Sequence, residues 1–243
     1  MVFLYELYQY TNDKLKRSTL TAFLQIKRDD VISFAGAGGK TSTIFALAEE
    51  IKNNTDYRVL VTTTTKMFLE KEAITLTDEN FIMTQLRKKQ IVIAGTNLGK
   101  KMGCFNMDFL QKIISYSDIT LIEADGAKRK PFKMPRVYEP VYLSCTTKIV
   151  YLVGMLAWGK KIRDLSRADI LTEFLYKSLD ERLTEEDMIK VLLSKLGAKK
   201  DVQDKLFCII LNQVDDENIL KIAMKIAMVL NRWGIRTAIS KHY

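Results

Sequence analysis

Val31-Ile-Ser-Phe-Ala-Gly-Ala-Gly-Gly-Lys-Thr-Ser42 decides the fold of this 243-residue chain. An apolar run suited to a buried strand enters a glycine-rich turn. Lys40-Thr41 follow, and then Ile44, Leu47, Ala48 and Ile51 repeat at helical spacing. Gly36, Gly38 and Gly39 permit positive φ and remove side chains, so successive backbone N–H groups, Ala37 included, can face one anion. The start of the following helix adds the positive end of its dipole. The stretch therefore predicts a phosphate cradle, with Lys40 reaching the outer phosphates and the Thr41 hydroxyl, beside Ser42, directed to Mg²⁺.

The same alternation continues outward. Apolar β-rich runs are expected as strands at residues 58–62, 90–95, 119–123, 148–153, 206–211 and 235–239, besides 31–35. Several are almost continuously apolar, as central strands covered on both faces must be. The strand–helix rhythm predicts an α/β fold with a doubly wound, mostly parallel sheet. Residues 21–243 are expected to form a single P-loop-type α/β domain, residues 1–20 an extra N-terminal segment. Residues 165–197 look like two helices without an intervening strand, a small helical insertion; Thr184 and Asp187 there have capping-box spacing. The last helix is expected after Asp215-Asp216-Glu217 and to stop near Gly234.

Composition narrows the chemistry. At 47% hydrophobic and 28% charged the chain is an ordinary globular protein. No apolar run is long enough for a membrane span, no secretion signal is visible, and three cysteines cannot close a disulfide set, so a cytoplasmic location is expected. The one histidine is the penultimate residue, His242, which argues against a Ser-His-Asp triad, a Cys-His pair and a histidine-built zinc site. A net charge of +9 favours an anionic partner.

Three further segments carry chemistry. Ile119-Thr-Leu-Ile-Glu123-Ala-Asp125-Gly126 ends an apolar strand in two carboxylates, either of which could hold Mg²⁺ beside the cradle. All three prolines (Pro131, Pro135, Pro140) fall just beyond it, where five of the nine residues 128–136 are basic, predicting an extended basic loop that reads either as a clamp for a phosphorylated ligand or as a solvated charged face. Asn212-Gln213-Val214-Asp215 ends another strand. It reads either as a base-recognition element, like the Asn-Lys-x-Asp of GTPases with glutamine for lysine, or as a helix cap. Thr64 and Thr65, with Lys66 beyond, could face the phosphates, or could reflect β-propensity alone. The cradle itself departs from the standard P-loop: Phe34 stands where its first glycine would fall, giving a shortened Gly36-x-x-Gly39-Lys40-Thr41 form similar to that of Mur-type ligases.

Together these stretches resemble the YqeC-type selenium cofactor biosynthesis proteins, accessory to selenium-dependent hydroxylases. The resemblance runs from about residue 20 to the C-terminus. It rests on Gly36–Thr41, Val61–Thr65, Glu123-Ala-Asp-Gly-Ala-Lys-Arg129, Pro131-Phe-Lys133, Pro135, Glu139-Pro140-Val141, Gly154, Gly159, Arg167 and Leu211–Asp215. It departs at Lys66, where that family usually has histidine, at Leu143, often proline, and in the first twenty residues. It implies a cytoplasmic nucleotide-binding protein serving molybdenum hydroxylases with a labile selenium ligand.

Under this reading ATP or GTP binds with Mg²⁺, held by Thr41 and Glu123. Lys40 neutralises phosphate charge and Asp125 positions a water or acceptor. Lys128, Arg129, Lys130 and Lys133 bind a phosphorylated pterin-type cofactor for delivery to the hydroxylase. A Mur-like ligase or kinase of a small anionic substrate, and a non-hydrolysing cofactor-binding adaptor, are the alternatives. Nucleic acid is not an expected partner, since the basic loop carries few aromatics.

Overall fold

The computed structural model describes residues 5–242. The chain is α/β, built on a mostly parallel sheet that has nine strands among the described residues. In chain order the elements begin with β1 (Tyr5–Thr11), β2 (Lys14–Ser18), α1 (Leu20–Leu24), β3 (Asp30–Gly36) and α2 (Lys40–Asn54). Next come β4 (Val59–Thr63), β5 (Lys66–Phe68), α3 (Glu79–Lys88), β6 (Ile91–Ile93), β7 (Thr96–Asn97), β8 (Lys101–Gly103), α4 (Met107–Ile114) and β9 (Ile119–Glu123). The rest are β10 (Lys148–Gly154), α5 (Ala168–Leu175), α6 (Glu185–Leu193), β11 (Leu206–Asn212), α7 (Glu217–Arg232) and β12 (Arg236–His242).

The large sheet runs β2-β1-β12-β11-β10-β3-β9-β4-β6. Seven strands, from β12 across to β6, are parallel, so the carboxyl ends of β3, β9, β4, β10 and β11 share one edge. β3 lies at the switch point: the chain fills β9, β4 and β6 on one side of it, then crosses to β10, β11 and β12 on the other. Ligands of open α/β sheets bind at such a point.

Alternation along the strands sorts the core. Ile32 and Phe34 of β3, Leu121 of β9, Val150 of β10 and Ile210 of β11 face Ile44, Leu47 and Ile51 of α2. Tyr151, Val153, Ile209 and Leu211 face the opposite side, against α5, α6 and α7. α3 and α4 cover Leu60 and Ile122 on that same side. Residues 124–147, linking β9 to β10, contain no helix or strand and close the gap between those two helix groups. Ser33 of β3 meets Thr146 there at 3.0 Å, and Phe132 and Met134 enter the α5–α7 cluster.

The two helices expected within residues 165–197 are α5 and α6, the latter with the Thr184–Asp187 capping box. Both pack on the main sheet through Leu171, Leu175, Met188 and Leu192. Residues 5–18 form a hairpin that pairs antiparallel with β12, and Leu7 joins the α2 cluster. A small antiparallel sheet, β5-β8-β7, stands beyond the end of β4. Among the described residues no helix is long and apolar enough to cross a membrane.

Candidate functional site

The glycine loop joins β3 to α2. Gly36 has φ +89° and Gly39 φ +114°, the latter serving as the N-cap of α2. A Cβ on Gly39 would stand 2.2 Å from Asn212 Nδ2, and one on Gly36 2.2 Å from the Leu152 carbonyl. Both the conformation and the space therefore require glycine. No described side chain caps α2, and its first turn carries no acid. A helix start left this way favours an anion.

Behind the loop lies a chain of buried charges. The Gly36 N–H donates to Asp125 Oδ2 at 3.0 Å, and Lys40 Nζ donates to the Gly36 carbonyl at 2.8 Å. Lys40 Nζ also stands 3.1 Å from Asp125 Oδ1, though without the alignment of a hydrogen bond. Lys133 Nζ is 2.7 Å from Asp125 Oδ2 and 3.4 Å from Glu139 Oε2. Glu139 Oε1 in turn accepts from Arg167 Nη2 at 2.6 Å. Asp125 and Lys133 are fully enclosed, with side-chain exposures of 0% each. Burial pushes the Lys133 ammonium below its ordinary range, against the pull of Asp125. Burial would raise Glu139, but the Arg167 hydrogen bond and the charges of Lys133 and Arg167 outweigh it and hold the carboxyl low. Burial, with the charge of Asp125 added, holds the Tyr142 and Tyr151 hydroxyls well above their usual value.

Thr41 Oγ1 donates to Glu123 Oε2 at 2.7 Å, uniting the helix start with the end of β9. Burial raises the Glu123 carboxyl, opposed by the Lys40 charge and the Thr41 hydrogen bond. A hydroxyl and a carboxylate so placed are hard oxygen donors of the kind Mg²⁺ takes beside phosphates.

A cleft of about 1270 Å³ opens over this edge. Of the residues singled out by sequence, Gly38, Gly39, Lys40, Thr41, Ser42, Thr65, Lys66, Glu123, Lys128, Arg129 and Lys130 line it. The glycine loop and the basic loop thus share one cleft. Arg129 lies over the Phe68 ring at 4.2 Å, joining the basic loop to β5.

The other expected site residues take different places. The Gly36 N–H is taken by Asp125 and the Ala37 N–H by the Leu152 carbonyl at 2.9 Å, so these two amides do not face an anion as expected, and neither residue lines the cleft. Lys133, expected to face an anionic acceptor, is turned inward onto Asp125 and Glu139, because two buried carboxylates there require a cation. Asp125 holds the loop from behind, so its carboxylate supports the cradle and does not border the cleft. The Thr64 hydroxyl donates to the Val141 carbonyl at 2.7 Å, tying down the basic loop's return. Asn212, fully buried, donates to the Gly38 carbonyl at 2.7 Å and accepts from Ser240 Oγ at 2.7 Å. Asp215 is exposed and outside the cleft lining; Asp216 caps α7 by accepting from the N–H groups of Asn218 and Ile219.

Sequence reasoning did not assign Arg167 and Gln213 to the site, yet both line the cleft. Gln213 has φ +63° and a buried Oε1 without a partner among the described residues. Its place within Asn212–Asp215 was the signal for Gln213; Arg167 stood among the residues that carry the family resemblance, with no role attached to it.

A family model described as YqeC protein matches residues 32–167, more than half of the chain. The chain is also 29% identical over 187 residues to Uncharacterized protein YqeC of Escherichia coli (strain K12), covering 72% of each. The match spans the glycine loop, the Thr41–Glu123 pair, the basic loop and Arg167, and on it the chain belongs to the YqeC family.

Proposed function

We propose that the cleft binds a nucleoside triphosphate, ATP or GTP, with Mg²⁺, and that binding or hydrolysis serves maturation of a selenium-dependent molybdenum hydroxylase. A phosphorylated pterin-type cofactor is the anionic ligand assigned to Lys128, Arg129 and Lys130. The observation that carries the nucleotide reading is the junction of uncapped helix start, glycine loop, Lys40 and the Thr41–Glu123 pair on one cleft.

Thr41 and Glu123 are the residues to hold Mg²⁺, which when bound neutralises phosphate charge. Lys40 supplies a cation at the head of α2, and Asp125 fixes it together with the Gly36 amide. Asp125 is therefore assigned to orienting Lys40 in preference to activating water.

Calorimetry with ATP and GTP, with and without Mg²⁺, tests this. Lys40→Ala removes a charge-assisted contact of about 1.5–3 kcal/mol, so affinity should fall at least tenfold in a protein that still folds. Unchanged affinity in folded Lys40→Ala removes the reading. One observation favours a second: the basic loop borders the same cleft as the glycine loop, so basic side chains are available to an anionic acceptor beside a bound phosphate chain. Phosphoryl transfer to a small acid then requires that nucleoside diphosphate appear only when the acceptor is supplied.

A further inference from the structure

We propose that Arg167 is a ligand-contacting residue of this cleft, its guanidinium taking an oxyanion of an extended polyphosphate. The inference rests on the nucleotide reading and adds to it a cation that comes from the β10–β11 connection.

Arg167 lines the cleft with its side chain 10% exposed. A guanidinium carries five N–H donors in a rigid fork and cannot shed its charge. Here Nη2 meets Glu139 Oε1 at 2.6 Å and reaches the Gly126 carbonyl only at 3.5 Å. Nε is buried and has no partner among the described residues. A buried donor on a cation left unmade is costly, so the site calls for an acceptor from outside the chain. Glu139 does not fully satisfy this cation, because its other oxygen faces Lys133 at 3.4 Å and the Arg136 N–H at 3.4 Å.

Two more orphaned atoms show how far the ligand reaches. Thr65 Oγ1, beyond β4, and Gln213 Oε1, beyond β11, are buried without partners, and both residues line the same cleft. β4 and β11 are separated by β9, β3 and β10. Four strand spacings of about 4.8 Å make roughly 19 Å along the sheet edge. One phosphate does not span that width, and Gln213 Oε1 only accepts, so the ligand must carry N–H or O–H donors beyond its phosphate chain.

The test uses inorganic tripolyphosphate with Mg²⁺ on the full chain, by calorimetry, with thermal unfolding recorded in parallel. Arg167→Gln removes the charge, Arg167→Lys keeps charge without the fork, and Glu139→Gln loosens the same ion pair from its other end. Arg167→Gln should weaken tripolyphosphate at least tenfold and Arg167→Lys should recover part of that. Glu139→Gln should lower the melting temperature but leave affinity within threefold. Equal losses of affinity in Arg167→Gln and Glu139→Gln would make Arg167 a merely structural partner and overturn the proposal; so would parent affinity in Arg167→Gln. If Arg167→Gln does not fold, Arg167→Lys with parent affinity and melting temperature overturns it as well. Affinity lost in Lys40→Ala but kept in Arg167→Gln defeats this inference alone; a parent that binds no polyphosphate defeats the nucleotide reading too.

Discussion

Replacing Lys133 by methionine keeps most of the side chain's length and removes only its charge and donors. The ammonium sits 2.7 Å from Asp125 and 3.4 Å from Glu139, donates to the Gly126 carbonyl at 2.9 Å, and is out of reach of solvent. Removing one partner of a buried ion pair costs about 3–5 kcal/mol, because the remaining charge stays buried. Each carboxylate keeps a second cation here: Asp125 keeps Lys40, and Glu139 keeps Arg167. The loss should therefore fall near the lower end, about 3 kcal/mol. For a domain of this size that corresponds to roughly 6–12 °C in melting temperature. Urea unfolding at pH 7 with an unchanged m-value gives the free energy directly. Adding Asp125→Asn to Lys133→Met should cost less than the sum of the two single changes, since the second charge no longer needs the first. A Lys133→Met protein within 1 kcal/mol of the parent, or strictly additive costs, would refute the buried charge chain.

Three other changes probe separate parts of the molecule. Asn212→Ala orphans the Gly38 carbonyl and the Ser240 hydroxyl inside the protein, so it should lose about 2–4 kcal/mol in urea unfolding, and a loss under 1 kcal/mol would contradict that role. The Arg58 hydrogen bonds, against the effect of burial, hold the Asp118 carboxyl down to about 2. Its contribution is full above the ordinary carboxylate value near 4 and disappears as pH falls from there towards 2. Water reaching Arg58 screens the pair to about 1 kcal/mol, and Arg58→Ala should flatten that acid limb of the stability curve. If Asp215 reads guanine, GTP should outcompete ATP by about 1 kcal/mol and Asp215→Asn should exchange GTP for xanthosine triphosphate. Equal competition by ATP and GTP, unaffected by Asp215→Asn, would leave the segment as a turn ahead of the Asp216 cap.

The parallel strands were legible because burial on both faces forces continuous apolar runs: Ile119–Glu123 ends where its carboxylate begins, and Lys148–Gly154 and Leu206–Asn212 extend the expected strands by one residue. The hairpin of β1 and β2 went unread although Asn12 and Asp13 join the strands. Both adopt left-handed φ, 50° and 58°, as a two-residue hairpin turn demands. Its edge strand, Lys14-Leu-Lys-Arg-Ser18, is mostly charged, which protects a sheet edge but hides its β character. In the site, residues acting through backbone conformation were visible locally, as the glycines show. Lys133 was not, because charge patterning cannot separate a lysine facing solvent from one facing Asp125. Arg167 reaches the cleft from the connection between β10 and β11, and its contacts with Glu139 and the Gly126 carbonyl are ones that no local pattern announces.

The pairing of β1 with β12 sets the order in which the sheet can be finished. Tyr10 stands opposite Thr237 and Leu7 opposite Ser240, so the hairpin has no edge to join until β12 has been laid against β11. During synthesis Leu7 and Tyr10, both buried in the finished fold, must wait while nearly everything between them and β12 is made. Contacts so distant in sequence are slow to form and leave apolar strands uncovered in the meantime. The charges of β2 then serve the nascent chain as well as the folded one, by keeping a hairpin without its partner from pairing with a neighbour's.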